Sequence, residues 1–254
     1  MKLTILGCGT SFGVPRIGND WGECDPAEPR NRRRRVSILV EHEGVRILVD
    51  TSPDLREQLL GAGVSSLDAV IWTHDHADHC HGIDDLRGVF HARGRPVAGY
   101  ARRESLDSLS ARFRYVFEGK GGYPSIVEGR LLPDRLEVGG VTVSVADQPH
   151  GAITSAGLRF DAAGKSIVYS TDFNALTKDM EALFRGCDIW VADALRRRPH
   201  PTHPHLAQTL DWIALVRPGR TILTHMDNSM DYRSLRAELP AGVEPGFDGM
   251  EVVL

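Results

Sequence analysis

Thr73-His74-Asp75-His76-Ala77-Asp78-His79 gathers a His-x-His-x-Asp-His pattern within six residues. Imidazole nitrogen and carboxylate oxygen are ligands of zinc, manganese and iron. With 11 histidines in 254 residues, this spacing arises by chance on the order of 10⁻³ of the time. The segment therefore reads as a metal site and not as a solvated polar loop. In a tight turn His74 and His76 project to one side, and Asp78 and His79 to a neighbouring position. Two ligands are too few to close a site, so the spacing predicts two ions, each completed from elsewhere. His150, Asp172 and His225 are the candidates, each in a turn after an apolar run.

Short runs rich in Val, Ile and Leu predict strands at 3–6, 37–41, 46–49, 69–73, 141–145, 158–160, 166–170, 188–192 and 221–224. Amphipathic spacing predicts helices at 54–62, 103–117, 178–183 and 205–216. Leu106, Leu109, Phe113 and Phe117 form an apolar stripe expected in the core. The mixture indicates an α/β (α+β) chain with two sheets, and no composition break divides residues 1–254. His74, Asp172, Asp193 and His225 each follow a predicted strand, and layered folds place their sites at such strand ends. Asp50 and Asp193 are candidates either to orient a ligand histidine or to cap a turn. Residues 16–35, rich in Gly, Pro, Asp and Arg, read as a long ordered loop.

The net charge of −4 provides no global cationic field, so a nucleic-acid partner is not expected. The four cysteines are scattered without a Cys-x-x-Cys pair, as in a reducing, cytoplasmic setting. The N-terminus reads as a strand and not as a signal peptide. No stretch approaches the ~20 apolar residues that span a bilayer. Gly7-x-Gly9-x-x-x-Gly13 departs from the dinucleotide fingerprint and reads as a tight turn.

His74-x-His76-x-Asp78-His79, followed in order by His150, Asp172 and His225, resembles the metallo-β-lactamase superfamily over essentially the whole chain. That resemblance implies a four-layer αββα sandwich in a single domain. It implies two divalent metal ions, zinc or manganese: one held by His74, His76 and His150, the other by Asp78, His79 and His225, with Asp172 bridging. Gly7-Cys8-Gly9-Thr10-Ser11-Phe12-Gly13-Val14-Pro15, Pro29-Arg30-Asn31-Arg32-Arg33, Thr202-His203 and Gly246-Phe247-Asp248-Gly249-Met250-Glu251 are similar to the phosphoribosyl cyclic phosphodiesterase subgroup. Its members often carry several cysteines after Gly-Val-Pro that hold a separate structural zinc. Here Cys24 stands alone.

The subgroup resemblance implies a phosphodiesterase that opens a small cyclic phosphate ester, and a homodimer. A cation pair activates water for attack on phosphorus and neutralises charge on the phosphoryl oxygens. His203 and Asp78 are the candidate catalytic residues. His203 matches the subgroup's extra histidine outside the metal shell and would protonate the leaving alkoxide, with His200 and His205 as rivals. Arg30, Arg33 and His200 are candidate substrate contacts, since guanidinium pairs with phosphate in a two-pronged fashion. The alternative for the run Arg30 to Arg35 is a solvated, salt-bridged face. Rival functions are a lactone or thioester hydrolase, a transfer-RNA 3′-processing nuclease and a non-catalytic metal-binding accessory protein. Asp172, and not a cysteine, at the bridging position disfavours lactam cleavage.

Overall fold

Strand side chains alternate between two faces, and in this chain both faces are apolar. Ile38 and Val40 point one way and Leu39 the other, with Ile47 and Val49 opposed to Leu48, and Ile167 and Tyr169 opposed to Val168. A sheet apolar on both faces must be covered on both. The computed structural model, which describes all 254 residues, shows how.

The first sheet contains β1 (Lys2–Gly7), β2 (Ser37–His42), β3 (Val45–Val49), β4 (Ala69–Ile71), β5 (Val97–Ala101), β6 (Val127–Leu131) and β14 (Met250–Val253), in the order β14-β1-β2-β3-β4-β5-β6. The second contains β7 (Arg135–Val138), β8 (Val141–His150), β9 (Ile153–Ala162), β10 (Lys165–Ser170), β11 (Ile189–Asp193), β12 (Arg220–Thr224) and β13 (Val243–Pro245), in the order β13-β12-β11-β10-β9-β8-β7. Their inner faces share one core in which Ile5, Ile38 and Ile47 meet Leu158, Phe160 and Ile167. Each such buried side chain contributes about 1.5–3 kcal/mol.

Outside the first sheet lie α1 (Leu55–Gly61), α2 (Ala77–Cys80), α3 (Leu86–Arg93), α4 (Arg103–Arg112) and α5 (Arg114–Glu118), packing Leu55, Leu86 and Leu109 on Leu48, Val70 and Trp72. Outside the second lie α6 (Lys178–Phe184) and α7 (Leu206–Val216), packing Met180, Phe184 and Val216 on Val168 and Trp190. A last helix, α8 (Tyr232–Glu238), contributes Leu235 to the central core. This is the αββα sandwich. No helix is long and apolar enough to cross a membrane.

Several expectations needed correction. The single helix over 103–117 is two, α4 and α5, because Phe113 leaves helical geometry (φ −117°, ψ 39°). Leu106 and Leu109 are buried, with Phe113 and Phe117 packed beside them. The strand over 69–73 ends at Ile71. Strands β5, β6, β7, β13 and β14 were not anticipated. β6 is exposed at four of its five residues, so it lacks an apolar signature. β5 carries Gly99, where a Cβ would lie 2.6 Å from both the Trp72 ring and the Val127 side chain.

Residues 16–35 form a loop with one 3₁₀ turn at Pro29–Asn31. Arg33, expected at a substrate phosphate, is instead 2% exposed. Its guanidinium donates to the carbonyls of Met230 (2.6 Å) and Asp227 (3.2 Å) and to Asn31 Oδ1 (3.4 Å), and lies against Cys24 Sγ (3.8 Å). Arg33 thus pins the loop to the segment before α8. Removing it strands two buried carbonyls and leaves a cavity. Arg33→Ala is expected to destabilise the protein by about 2–4 kcal/mol, read as a lower denaturant midpoint in chemical unfolding; an unchanged midpoint would show that the loop is held by other contacts.

Candidate metal centre

The parallel strands β10, β11 and β12 end side by side, delivering Asp172, Asp193 and His225 to one edge of the sandwich. The parallel strands β3 and β4 deliver Asp50 and His74 from the facing sheet. His150 closes β8, and His76, Asp78 and His79 begin or occupy the one-turn helix α2. Asp50 (φ 63°), Asp172 (φ 58°) and His225 (φ 57°) all adopt left-handed backbone where their strands stop. Asp and His tolerate that region better than most residues, and backbone strain held in place by its surroundings concentrates at functional sites.

Ligand-type atoms of His74, His76, His150 and Asp172 lie within 4.8 Å of one another, as do those of Asp78, His79 and His225. Asp172, 2% exposed, stands between the groups. Its Oδ1 is 3.9 Å from His74 Nε2 and 3.6 Å from His150 Nε2. Its Oδ2 is 3.1 Å from His79 Nε2 and 3.3 Å from His225 Nε2. Asp78 Oδ2 is 3.4 Å from His79 Nε2 and 3.5 Å from His225 Nε2. His150 Nε2 is 3.4 Å from His76 Nδ1.

These donors fit two cations. Tetrahedral ligands about 2.1 Å from an ion are separated from one another by about 3.4 Å, the spacing found here. The buried Nε2 atom of His74 has no hydrogen-bond partner, the nearest carboxylate oxygen standing 3.9 Å away, although buried polar atoms rarely go unpaired. All seven residues named in the sequence for the metals meet in this cluster. Arg30 and Arg33 do not join it.

The far sides of the rings are held. His79 Nδ1 donates to Asp50 Oδ2 (2.7 Å), and Asp50 accepts from the Thr73 amide (2.8 Å) and hydroxyl. Thr73 Oγ1 in turn meets His74 Nδ1 at 3.0 Å, so Asp50 orients His79 directly and His74 through Thr73. His150 Nδ1 donates to the Thr202 carbonyl (3.0 Å), which leaves Nε2 with its lone pair toward the cluster. Asp193 Oδ2 accepts from the Asp172 amide (2.9 Å) and from His203 Nδ1 (3.0 Å). The motif loop is clamped from outside by Arg112 on α4. Its guanidinium donates to the Asp75 carbonyl (2.6 Å) and meets His81 Nε2 (2.8 Å). Sequence reasoning missed Arg112 and Thr202 because their partners lie tens of residues away.

His203 Nε2 lies 3.7 Å from Asp172 Oδ1, and its ring stacks on His225 with centroids 4.8 Å apart. His200 sits behind it, ring centroids 5.1 Å apart, its Nδ1 accepting from the Thr202 amide. His205 precedes α7, outside the cluster.

Burial opposes charge throughout. It lowers His74 well below its usual range, reinforced by His79, and also lowers His150. Burial also acts to lower His225, but Asp172, Asp193 and Asp78 outweigh it and raise the ring to about 9. Asp172, Asp78 and Asp50 likewise hold His79 well above its usual value. His225 and His79 in turn keep Asp172 well below the carboxylate range, against the burial that would raise it.

Two sheets packed face to face, with an Asp–His cluster along their shared edge, define the metallo-β-lactamase class of fold. The family description "Beta-lactamase superfamily domain" matches residues 45–226. A crystal structure described as a new diphosphatase from the PhnP family superposes with a TM-score of 0.91 at 34% identity, covering 100% of this chain and 97% of its own. The chain belongs to the metallo-β-lactamase superfamily and, within it, to the PhnP family. An octanoyltransferase of Porphyromonas gingivalis is 34% identical over 262 residues, but the chain spans only 52% of that protein's length. Coenzyme PQQ synthesis protein B of Methylobacterium nodulans is 25% identical over 312 residues, with both chains fully covered.

The neighbouring carboxylates favour the protonated forms of His79 and His225, and a ring nitrogen must be free of its proton to become a ligand. Titrating the metal-stripped protein with zinc at pH 7, in buffers of different ionisation enthalpy, is expected to show net proton release on binding. Since both rings bind protons more fully as pH falls, zinc affinity is expected to weaken from pH 8 to pH 6. An affinity flat across that window would contradict these proton positions.

Proposed function

We propose that this chain is a binuclear metal-dependent hydrolase of phosphate esters whose substrate is a small cyclic phosphate ester. One observation carries this reading: the two oxygens of Asp172 face two separate ligand groups, and His203 stands beside them at 3.7 Å. When bound, a cation pair in these groups supplies activated water and neutralises charge on the phosphoryl oxygens.

The protein's own groups do the rest. Asp50 and the Thr202 carbonyl fix the rings of His79 and His150, so the donor set is built before substrate arrives. Asp193 accepts from His203 Nδ1 and turns Nε2 toward the cluster. A proton held at Nε2 passes to the departing alkoxide as the ester bond breaks. Asp193 also holds the Asp172 amide, so the proton donor and the bridging carboxylate are set by one side chain. Asp78, on the second group, contributes its charge to the same centre. His200 backs His203 and would meet the substrate's far side.

The 34% identity to a diphosphatase of the PhnP family supports phosphorus as the reacting atom. It also favours a second reading, cleavage of a phosphoanhydride. The proposal takes zinc or manganese as the ions, a small-molecule ester and not nucleic acid as partner, the cytoplasm as setting, residues 1–254 as one domain and a homodimer as assembly.

With manganese or zinc present, the protein is expected to hydrolyse bis(p-nitrophenyl) phosphate and a cyclic alkyl phosphate faster than a lactone or a thioester. Asp172→Ala abolishes both phosphate activities. His203→Ala slows the alkyl ester by about 10²–10⁴-fold but the nitrophenyl ester far less, because nitrophenolate leaves without a proton. Activity surviving in Asp172→Ala, or carbonyl esters turning over faster, would refute the proposal.

A further inference from the structure

The arginine run closes on a cavity of about 710 Å³, bounded by Arg30, Arg32, Arg34 and Arg35 with Phe12 and Phe247. None of the seven clustered metal-type ligands lines it. A smaller cavity that reaches Asp78 shares Phe12 and Arg35 with it, so the two lie side by side.

Three carboxylates also line the larger cavity, and each is engaged. Asp54 pairs with Arg35 Nε at 3.1 Å. Glu251 pairs with Lys2 at 2.7 Å. Asp248 accepts the backbone amides of Arg34 (2.7 Å) and Cys8 (3.2 Å). No carboxylate comes within 4.0 Å of the guanidinium of Arg30, Arg32 or Arg34, and none of the three makes a side-chain hydrogen bond.

Two of these side chains nevertheless rest against aromatic rings. Arg30 lies 5.0 and 5.1 Å from the ring centroids of Tyr232 and Phe247, which meet edge to face, and Arg32 lies 5.2 Å from that of Trp21. A guanidinium attracted to a ring by cation–π contact uses none of its N–H groups there and can still donate them to an oxyanion. Arg30, Arg32 and Arg34 make no ion pair within the protein, so an anion entering the cavity would supply counter-charge at close range.

We propose that this cavity is a second ligand site, separate from the metal centre, that binds a small polyphosphate: a di- or triphosphate group, free or as an organic ester. The charge of a di- or triphosphate matches three guanidinia more closely than that of a single phosphate does. The cavity's volume of about 710 Å³ is of the size that takes a small molecule.

Inorganic tripolyphosphate is the probe, with binding measured by calorimetry at fixed ionic strength in the wild type, Arg30→Gln/Arg34→Gln, Arg34→Lys and Asp172→Asn. Asp172→Asn is expected to bind within about twofold of the wild type, since it alters only the metal centre. The double variant binds at least about tenfold more weakly. Arg34→Lys falls between, because it keeps the charge but loses the two-pronged geometry, and inorganic phosphate binds more weakly than tripolyphosphate. Arg30 is exposed and the Arg34 guanidinium is unbonded, so matched thermal midpoints confirm folding. The proposal is overturned if Asp172→Asn loses binding while the arginine variants keep it, which would put the probe on the metal centre. It also fails if Arg34→Lys equals the wild type, or if a single-stranded oligonucleotide outcompetes tripolyphosphate. None of these outcomes bears on phosphoester hydrolysis, which is measured separately.

Discussion

The carboxylate of Asp172 faces imidazoles on both sides, and the rest of the centre is arranged around it. Its Oδ1 meets His74 and His150, and its Oδ2 meets His79 and His225. A buried carboxylate with no counter-charge would cost several kcal/mol. Of the surrounding rings, His79 and His225 are the ones the neighbouring carboxylates bias toward the protonated form, and cations would supply that charge in a loaded protein. One residue thus sets both the separation of the two ligand groups and their electrostatic balance. Its left-handed backbone, costing on the order of 1–3 kcal/mol, is held by the bond from its amide to Asp193.

Two further buried carboxylates hold the arrangement, one from each sheet. Asp50, at the end of β3, fixes His79 and, through Thr73, His74. Asp193, at the end of β11, fixes Asp172 and His203. Packing the inner faces of the sheets therefore brings together two half-sites that are each already oriented. The central core and the metal centre are coupled for the same reason: a shift between the sheets would move His74 and His79 relative to Asp172 and His225. The outer clamp from Arg112 to Asp75 and His81 ties the motif loop to α4, so the helical layer takes part as well.

Within residues 30–35 a single residue type serves three purposes. Arg33 is buried and replaces a loop's missing core with hydrogen bonds to carbonyls. Arg35 pairs with Asp54 across the start of α1. Arg30 and Arg32 rest against aromatic rings and make no ion pair. The Gly9 amide donates to the Arg34 carbonyl and the Gln58 side-chain amide to the Arg35 carbonyl, which fixes the course of the backbone here. The close approach requires glycine: a Cβ on Gly7 would stand 2.0 Å from the Arg35 carbonyl.

The ligand-rich segment from His74 to His79 was legible from spacing alone, because its residues are neighbours in the chain and their chemistry is unusual. A mixed chain with two sheets was legible too, from short apolar runs such as those at 37–41 and 166–170, whereas the αββα layering was implied only by the resemblance of the His74 to His79 motif to a known superfamily. Strands without that signature, β6 above all, stayed hidden because their pairing is decided by neighbours and not by their own residues. The arginine run exposed its charge but not its direction, and Arg33 turned inward where a phosphate contact was expected. The sequence determined which groups are present and the period on which they repeat. Only the tertiary structure decided which of them meet, because sheet packing and strand-end geometry bring together residues some 150 positions apart in the chain, and no local pattern records a distance across that gap.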